Sequence, residues 1–110
     1  MSKDTLIASL RSQCGGPRDG ALLRYALGNA LLDAGDAAAA ADELRHALRF
    51  DPRYSAAWKL LGKACLAADD RAGAAEAWRQ GIAVALERGD KQAEKEMTVF
   101  LRRLERTDRG

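Results

Sequence analysis

Two pairs of side chains in this sequence are spaced for binding chemistry. Tyr25 and Asn29 are four residues apart, and so are Lys59 and Lys63. Residues four apart share one face of a helix, so a helical chain would present a phenol beside an amide and one ammonium group beside another. Lysines without nearby acids attract carboxylates. The spacing indicates a surface for an acidic peptide or a terminal carboxylate, and the alternative is an ordinary solvated helix face.

Residues suited to metal binding or catalysis are few and poorly spaced. The soft ligands are Cys14, His46 and Cys65, which form neither a CxxC nor an HxxxH pattern, whereas structural zinc takes four ligands. The single histidine and the four serines are not arranged as a base and a nucleophile. Asp69-Asp70 is typical of a turn that caps a helix. We therefore expect a protein that is not an enzyme and that holds no metal and no other cofactor.

The balance of charges argues against nucleic-acid binding, and the hydropathy of the chain argues against a membrane-spanning segment. The 18 basic and 16 acidic residues leave a net charge of +2, while a nucleic-acid protein concentrates basic residues on one face. No run of 18 apolar residues occurs, and Leu6–Leu10 is too short for the apolar part of a signal peptide. Two cysteines are not a disulfide framework. We expect a cytoplasmic protein, with nucleic-acid binding only as a remote alternative.

The composition predicts helices throughout. The 110 residues include 23 Ala and 15 Leu, but only 2 Ile, 2 Val and 3 Thr. A sheet needs β-branched and aromatic residues on its faces, and this chain has too few of them. Because 47% of the residues are apolar and 31% are charged, the chain is expected to fold around a core. The predicted class is all-α.

A repeat of 34 residues organises the chain. Residues 21–54 and 55–88 are identical at 10 of 34 positions, including Leu27/Leu61, Gly28/Gly62 and Asp36/Asp70. Helices are predicted over residues 3–13, 20–34, 37–50, 54–68, 71–88 and 91–106. They are separated by short turns in which Gly takes the left-handed conformation and Asp caps the next helix. Both copies keep a helical Gly despite its cost, which predicts that two helix backbones approach closely there.

Motifs in both copies resemble tandem tetratricopeptide (TPR) repeats. The second copy reads Trp58-x2-Leu61-Gly62-x2-Cys65 and then Ala74-x3-Trp78-x2-Gly81. The first reads Arg24-x2-Leu27-Gly28-x2-Leu31, then Ala40-x3-Leu44-x2-Ala47 and Pro52. Arg24 replaces the usual Trp, and Leu86 stands where the second copy would have Pro. The segments 89–93 and 100–104 are similar to the ends of short bacterial TPR proteins that have two repeats and a C-terminal capping helix.

The resemblance implies one domain over residues 1–110, built as an α-solenoid. Its expected parts are an N-terminal helix and loop (1–19), repeat 1 (21–54), repeat 2 (55–88), a capping helix (89–106) and a disordered tail (107–110). Trp58, Leu61, Trp78 and Leu44 are expected to fill the contact between the two hairpins. Terminal helices with a polar outer face keep such a stack soluble. A monomer is expected, with a weak dimer as the alternative.

The resemblance also implies where a partner would bind. The first helices of TPR hairpins line a concave groove, and the residues expected to contact a partner are Tyr25, Asn29, Lys59, Lys63 and Arg102. The expected function is protein–protein interaction through a partner peptide or helix, acidic or carboxylate-bearing, in this groove. The carboxylate clamp of some TPR domains is not expected, because Tyr25 and Leu60 stand where it needs Lys and Asn. The alternative function is a scaffold that acts by self-association.

Overall fold

The computed structural model describes residues 2–108, and this part of the chain forms six helices and no strand. The helices are α1 Lys3–Ser12, α2 Ala21–Asp33, α3 Ala37–Phe50, α4 Ser55–Ala67, α5 Arg71–Arg88 and α6 Lys91–Asp108. The predicted all-α class is confirmed, and every helix bound lies within two residues of its predicted position.

The end of α6 differs from the prediction. Thr107 and Asp108 are helical, although the sequence predicts a disordered tail from residue 107. The Arg71 side chain donates hydrogen bonds to the Asp108 carboxylate (2.6 Å) and to the Leu104 carbonyl (3.3 Å). These bonds tie the last turn of α6 to the first turn of α5. Residues 109–110 of the predicted tail lie outside the described residues.

Four turns carry the predicted capping pairs Asp19-Gly20, Gly35-Asp36, Asp69-Asp70 and Gly89-Asp90, and at three of them an aspartate caps the next helix as predicted. The carboxylates of Asp36, Asp70 and Asp90 accept backbone N–H bonds from the first turns of α3, α5 and α6. Such caps satisfy donors that have no partner inside the helix. At the fourth turn, before α2, the N-cap residue is Gly20 and the prediction of an Asp cap is wrong.

Positive backbone dihedrals reverse the chain after three helices. Gly35 and Gly89 have φ values of 87° and 70°, which a residue without a Cβ adopts at no steric cost. Asp69 stands at the position equivalent to Gly35 and has a φ of 62°. An aspartate tolerates this region better than most residues but less well than glycine. The turn after α4 is therefore more strained than its counterpart after α2.

Small residues let the two helices of each hairpin cross closely, and this prediction is confirmed. A Cβ added to Gly28 would lie 2.7 Å from Cγ of Leu44 on α3. A Cβ added to Gly62 would overlap the indole of Trp78 on α5. Leu44 and Trp78 therefore pack against the first helix of their own hairpins.

The helices form two layers that are spaced differently. Within the inner layer, α2 contacts α4 and α4 contacts α6, whereas no Cα pair between α3 and α5 of the outer layer comes within 8 Å. An outer layer more widely spaced than the inner one curves the stack. The surface formed by α2, α4 and α6 is therefore concave. The helix α1 packs on α2, and α6 packs on α5 and α4, so the two hairpins are flanked as the solenoid prediction requires.

Candidate functional site

Tyr25 and Asn29 lie one helical turn apart on α2, at the side of the concave face nearest the N-terminus. Asn29 is exposed and Tyr25 is half-buried. The Tyr25 ring stacks on Tyr54, with centroids 5.0 Å apart and planes at 29°. The pKa of Tyr54 is raised above its usual value, mainly because the side chain is buried and to a smaller extent because Tyr25 lies beside it. Tyr54 therefore holds Tyr25 in one orientation, and the 34-residue pattern gave no signal for this contact.

Lys59 is not the free cation that the sequence predicts. Its Nζ lies 2.9 Å from a carboxylate oxygen of Glu96 on α6, and both side chains are about one-third exposed or less. The other oxygen of Glu96 accepts a hydrogen bond from Gln92 at 2.9 Å. The Lys59 hydrogen bond, then the Gln92 bond, lowers the pKa of Glu96. This part of the concave face is a neutral pair that offers both a donor and an acceptor.

Lys63 remains available to a ligand. Its side chain is exposed, and its Nζ lies 5.1 Å from the centroid of the Phe100 ring on α6. The electron-rich face of an aromatic ring attracts a cation without neutralising it. Phe100 in turn packs on Trp78, with ring centroids 5.4 Å apart. Lys63 is therefore oriented by an aromatic pair and forms no ion pair within residues 2–108.

A small pocket lies between the C-terminal ends of α4 and α6 and the first half of α5, and its lining includes Phe100, the ring that Lys63 contacts. We call it the end pocket; its volume is about 170 Å³. Its apolar lining comes from Leu66, Trp78, Phe100 and Leu104, and its rim carries Arg71, Arg103 and Thr107. A pocket for a whole small molecule usually holds about 300–1,000 Å³. The end pocket is smaller, and its size suits one apolar side chain.

Arg102, the fifth predicted contact residue, is exposed on α6. The neighbouring Arg103, which the sequence did not single out, is the arginine of α6 that lines the end pocket. The difference arises from α5, which has 18 residues where α3 has 14. The extra turn breaks the 34-residue period, so positions on α6 cannot be read from those on α4.

The structure offers little to metal chemistry or to a reactive thiol. Between residues 2 and 108, no three His, Cys, Asp or Glu side chains come together as metal ligands. Burial raises the pKa of the Cys65 thiol, and burial also raises that of Cys14, which makes both less nucleophilic at neutral pH. No helix in the described part of the chain combines the length and the apolar character needed to cross a membrane.

Comparisons with known proteins decide the family. The profile of the Tetratricopeptide repeat matches residues 21–64. The TPR repeat-containing protein PA0015 of Pseudomonas aeruginosa is 64% identical over 88 residues, which are 80% of this chain and 84% of that protein. The chain belongs to the tetratricopeptide repeat family. The solution structure of protein BPP2914 from Bordetella parapertussis is 46% identical, with a TM-score of 0.79 over 98% of this chain and 90% of that one. The predicted family and the TPR-type solenoid are both confirmed.

Proposed function

We propose that the concave face of this TPR domain binds a segment of a partner protein that carries acidic and apolar residues. TPR repeats generally mediate protein–protein interactions. The observation that carries the proposal is the arrangement around Lys63, which is exposed and lies over the ring of Phe100, a residue that also lines the end pocket. A cation beside a small apolar pocket recognises an apolar side chain that is followed or preceded by a carboxylate.

The remaining residues of the face suit the backbone of such a segment. Asn29 is exposed and offers an amide that both donates and accepts hydrogen bonds. Tyr25 is held by its stack on Tyr54 and loses little side-chain freedom when it binds. Lys59 with Glu96 presents a donor beside an acceptor. Arg102 adds positive charge at the far edge, which favours an acidic partner through long-range attraction.

The experiment is a selection of displayed random peptides on the immobilised protein, followed by anisotropy measurements with the enriched peptides. We expect enriched peptides to contain an apolar residue next to acidic ones. Lys63→Gln should weaken their binding about tenfold, the size expected for losing one charge-assisted contact. Arg79→Gln is the matched control, because Arg79 is exposed on α5 outside the concave face. Equal affinities for the two variants, or enriched peptides without acidic residues, would contradict the proposal.

Lys59 is a poor position for a charge-reversal test. In Lys59→Glu the new carboxylate would face Glu96, which now lies within hydrogen-bond distance of the lysine. The repulsion would disturb the packing of α4 on α6 and would weaken binding indirectly. Lys63→Gln removes a charge without creating such a pair, so a loss of binding in that variant reports on the concave face itself.

Self-association is the second candidate function, and one observation favours it. Leu86 on α5 is 57% exposed, at the position where the repeat pattern has Pro. Sedimentation velocity tests this candidate, and we propose that the protein stays monomeric. A dimer that Leu86→Lys dissociates would support the scaffold function instead.

We further propose a cytoplasmic location, which the two unpaired cysteines favour.

A further inference from the structure

A second cleft lies on the outer face of the solenoid, between α3 and α5. We call it the outer cleft; its volume is about 500 Å³. The outer helices α3 and α5 are splayed apart there, so the cleft reaches down to α4. Its apolar lining includes Leu48 of α3, Trp58 and Leu61 of α4, and Ala77 of α5. Leu48, Leu61 and Ala77 belong to the buried core, so the cleft exposes part of the core to a ligand.

The same place in the first repeat is occupied by charged side chains. A shift of 34 residues relates Trp58 to Arg24 and Ala77 to Glu43. Arg24 lies 2.7 Å from Glu43 and 2.8 Å from Asp19, and the exposed fractions of these side chains are only 12–16%. This ion-pair network spans from α2 to α3. Ala77 is too short to make the equivalent contact in the second repeat, so the space that the splayed helices leave there stays open.

Two arginines of α3 lie along one wall of the outer cleft. Arg45 is held in place, because its guanidinium lies 3.5 Å from the Cys65 sulfur, 3.9 Å from Asp70 and 3.4 Å from Asp42. Arg49, one turn further along, is exposed and forms no ion pair within residues 2–108. Glu76 stands on the opposite wall, on α5. The cleft therefore offers an apolar floor between the Arg49 guanidinium on one wall and the Glu76 carboxylate on the other, and neither group has an ion pair within residues 2–108.

We propose that the outer cleft binds a small amphiphile, composed of an apolar ring or chain with one anionic group. Its volume falls within the range of about 300–1,000 Å³ that is usual for small-molecule sites, which are mostly apolar with a few placed polar groups. Trp58 provides a flat surface for the apolar part. Arg49 provides a planar fork of donors that matches a carboxylate. This site is separate from the concave face and does not depend on the function proposed for it.

A fluorescent probe of this chemistry tests the proposal. Anilinonaphthalene sulfonate has an aromatic body and one anionic group, and it accepts excitation energy from tryptophan. Because Trp58 lines the cleft, we expect saturable binding that quenches tryptophan emission and that decanoate displaces. Ala77→Leu places a larger side chain in the cleft and should weaken binding at least about tenfold. Circular dichroism checks whether the variant is folded.

Arg49→Gln tests the polar contact at an exposed position where folding is not at risk. We expect it to weaken binding about fivefold or more, as for a lost charge-assisted hydrogen bond. Arg79→Gln on α5 and Lys63→Gln on the concave face are matched controls and should leave probe binding unchanged. The proposal is overturned if the wild type shows no saturable binding, or if both Ala77→Leu and Arg49→Gln bind the probe normally. A further result would also overturn the proposal: the wild type does not bind the probe, and Ala77→Leu and Arg49→Gln weaken the binding of a selected peptide. The outer cleft would then be a site for a protein partner.

Discussion

The contact of Gly62 with Trp78 gives the sharpest prediction about stability. A methyl group at residue 62 would occupy the space of the Trp78 indole, which is 2% exposed and donates a hydrogen bond to the Lys59 carbonyl at 3.2 Å. In Gly62→Ala the indole must move. It then loses packing against Phe100, whose ring centroid is 5.4 Å away, and it loses the hydrogen bond.

The size of the effect follows from opposing contributions. Overpacking a core costs about 1–3 kcal/mol, and a lost intramolecular hydrogen bond costs about 1 kcal/mol. The gain in helix propensity from Gly to Ala offsets about 1 kcal/mol. We expect a net loss of about 2 kcal/mol, which lowers the melting temperature of a domain of this size by about 8–16 °C.

Urea unfolding followed by circular dichroism at 222 nm measures the effect, and a double-mutant cycle identifies its cause. In a Trp78→Leu background the indole is absent, so Gly62→Ala should cost little or should stabilise the helix. If Gly62→Ala stabilises the wild-type protein, or if its cost is the same in both backgrounds, the close crossing of α4 and α5 is not what requires a glycine at this position.

Three further predictions concern charges and backbone strain. Hydrogen bonds from Arg24, then one from the Gly15 amide, hold the pKa of Asp19 well below its usual value, so its stabilising effect is complete above about pH 4 and is lost as the pH falls further. Asp19→Asn should therefore be less stable than wild type at pH 7, and urea titrations should show the difference narrowing in acid. Lys59→Gln should raise the pKa of Glu96 toward its ordinary value, measured by NMR titration of the carboxyl carbon; an unchanged pKa would mean that the pair does not persist in solution. Asp69→Ala, at a φ of 62°, should cost about 1 kcal/mol in thermal unfolding, whereas Asp69→Gly should not.

The sequence predicted the features that depend on local chemistry. The pairs Gly35-Asp36 and Gly89-Asp90 each end one helix and cap the next, because the left-handed turn and the short carboxylate are properties of adjacent residues. The repeated Gly at 28 and 62 predicted close helix crossings for a similar reason, since a helical glycine is costly unless another group needs its space.

Contacts that depend on the relative placement of distant helices were not predicted. Glu96 is 37 residues from Lys59 and Phe100 is 37 residues from Lys63, so neither contact can be read from a shift of 34 residues. The additional turn of α5 changes this shift. The number of added residues does not by itself give the position of α6. The added length can shift α6 along its axis or rotate it about that axis, and the sequence does not tell how much of each occurs.

The surroundings of some predicted binding residues could be inferred from the sequence, and those of others could not. Tyr25 and Asn29 lie on one helix, and their common face follows from spacing alone. The surroundings of Lys59 and Lys63 depend on α6, and the structure separates the two: one is paired with an acid and the other is oriented by an aromatic ring. A pattern of cations therefore predicts a charged face, but the charge that a partner meets is decided by the neighbouring helix.

The inner and outer layers of this solenoid impose different demands on the sequence. Inner helices touch, so the side chains between them are fixed by packing. The outer helices α3 and α5 are splayed, so the space between them must be filled by long side chains or left open. In repeat 1 Arg24 on α2 and Glu43 on α3 form an ion pair, whereas the equivalent residues of repeat 2, Trp58 and Ala77, leave the outer cleft open. Because both repeats fold with the same hairpin geometry, filling the interval is not a condition of folding. The side chains on the outer face are therefore free to differ between repeats, and a single substitution at residue 77 can open or close a cleft without altering the concave face.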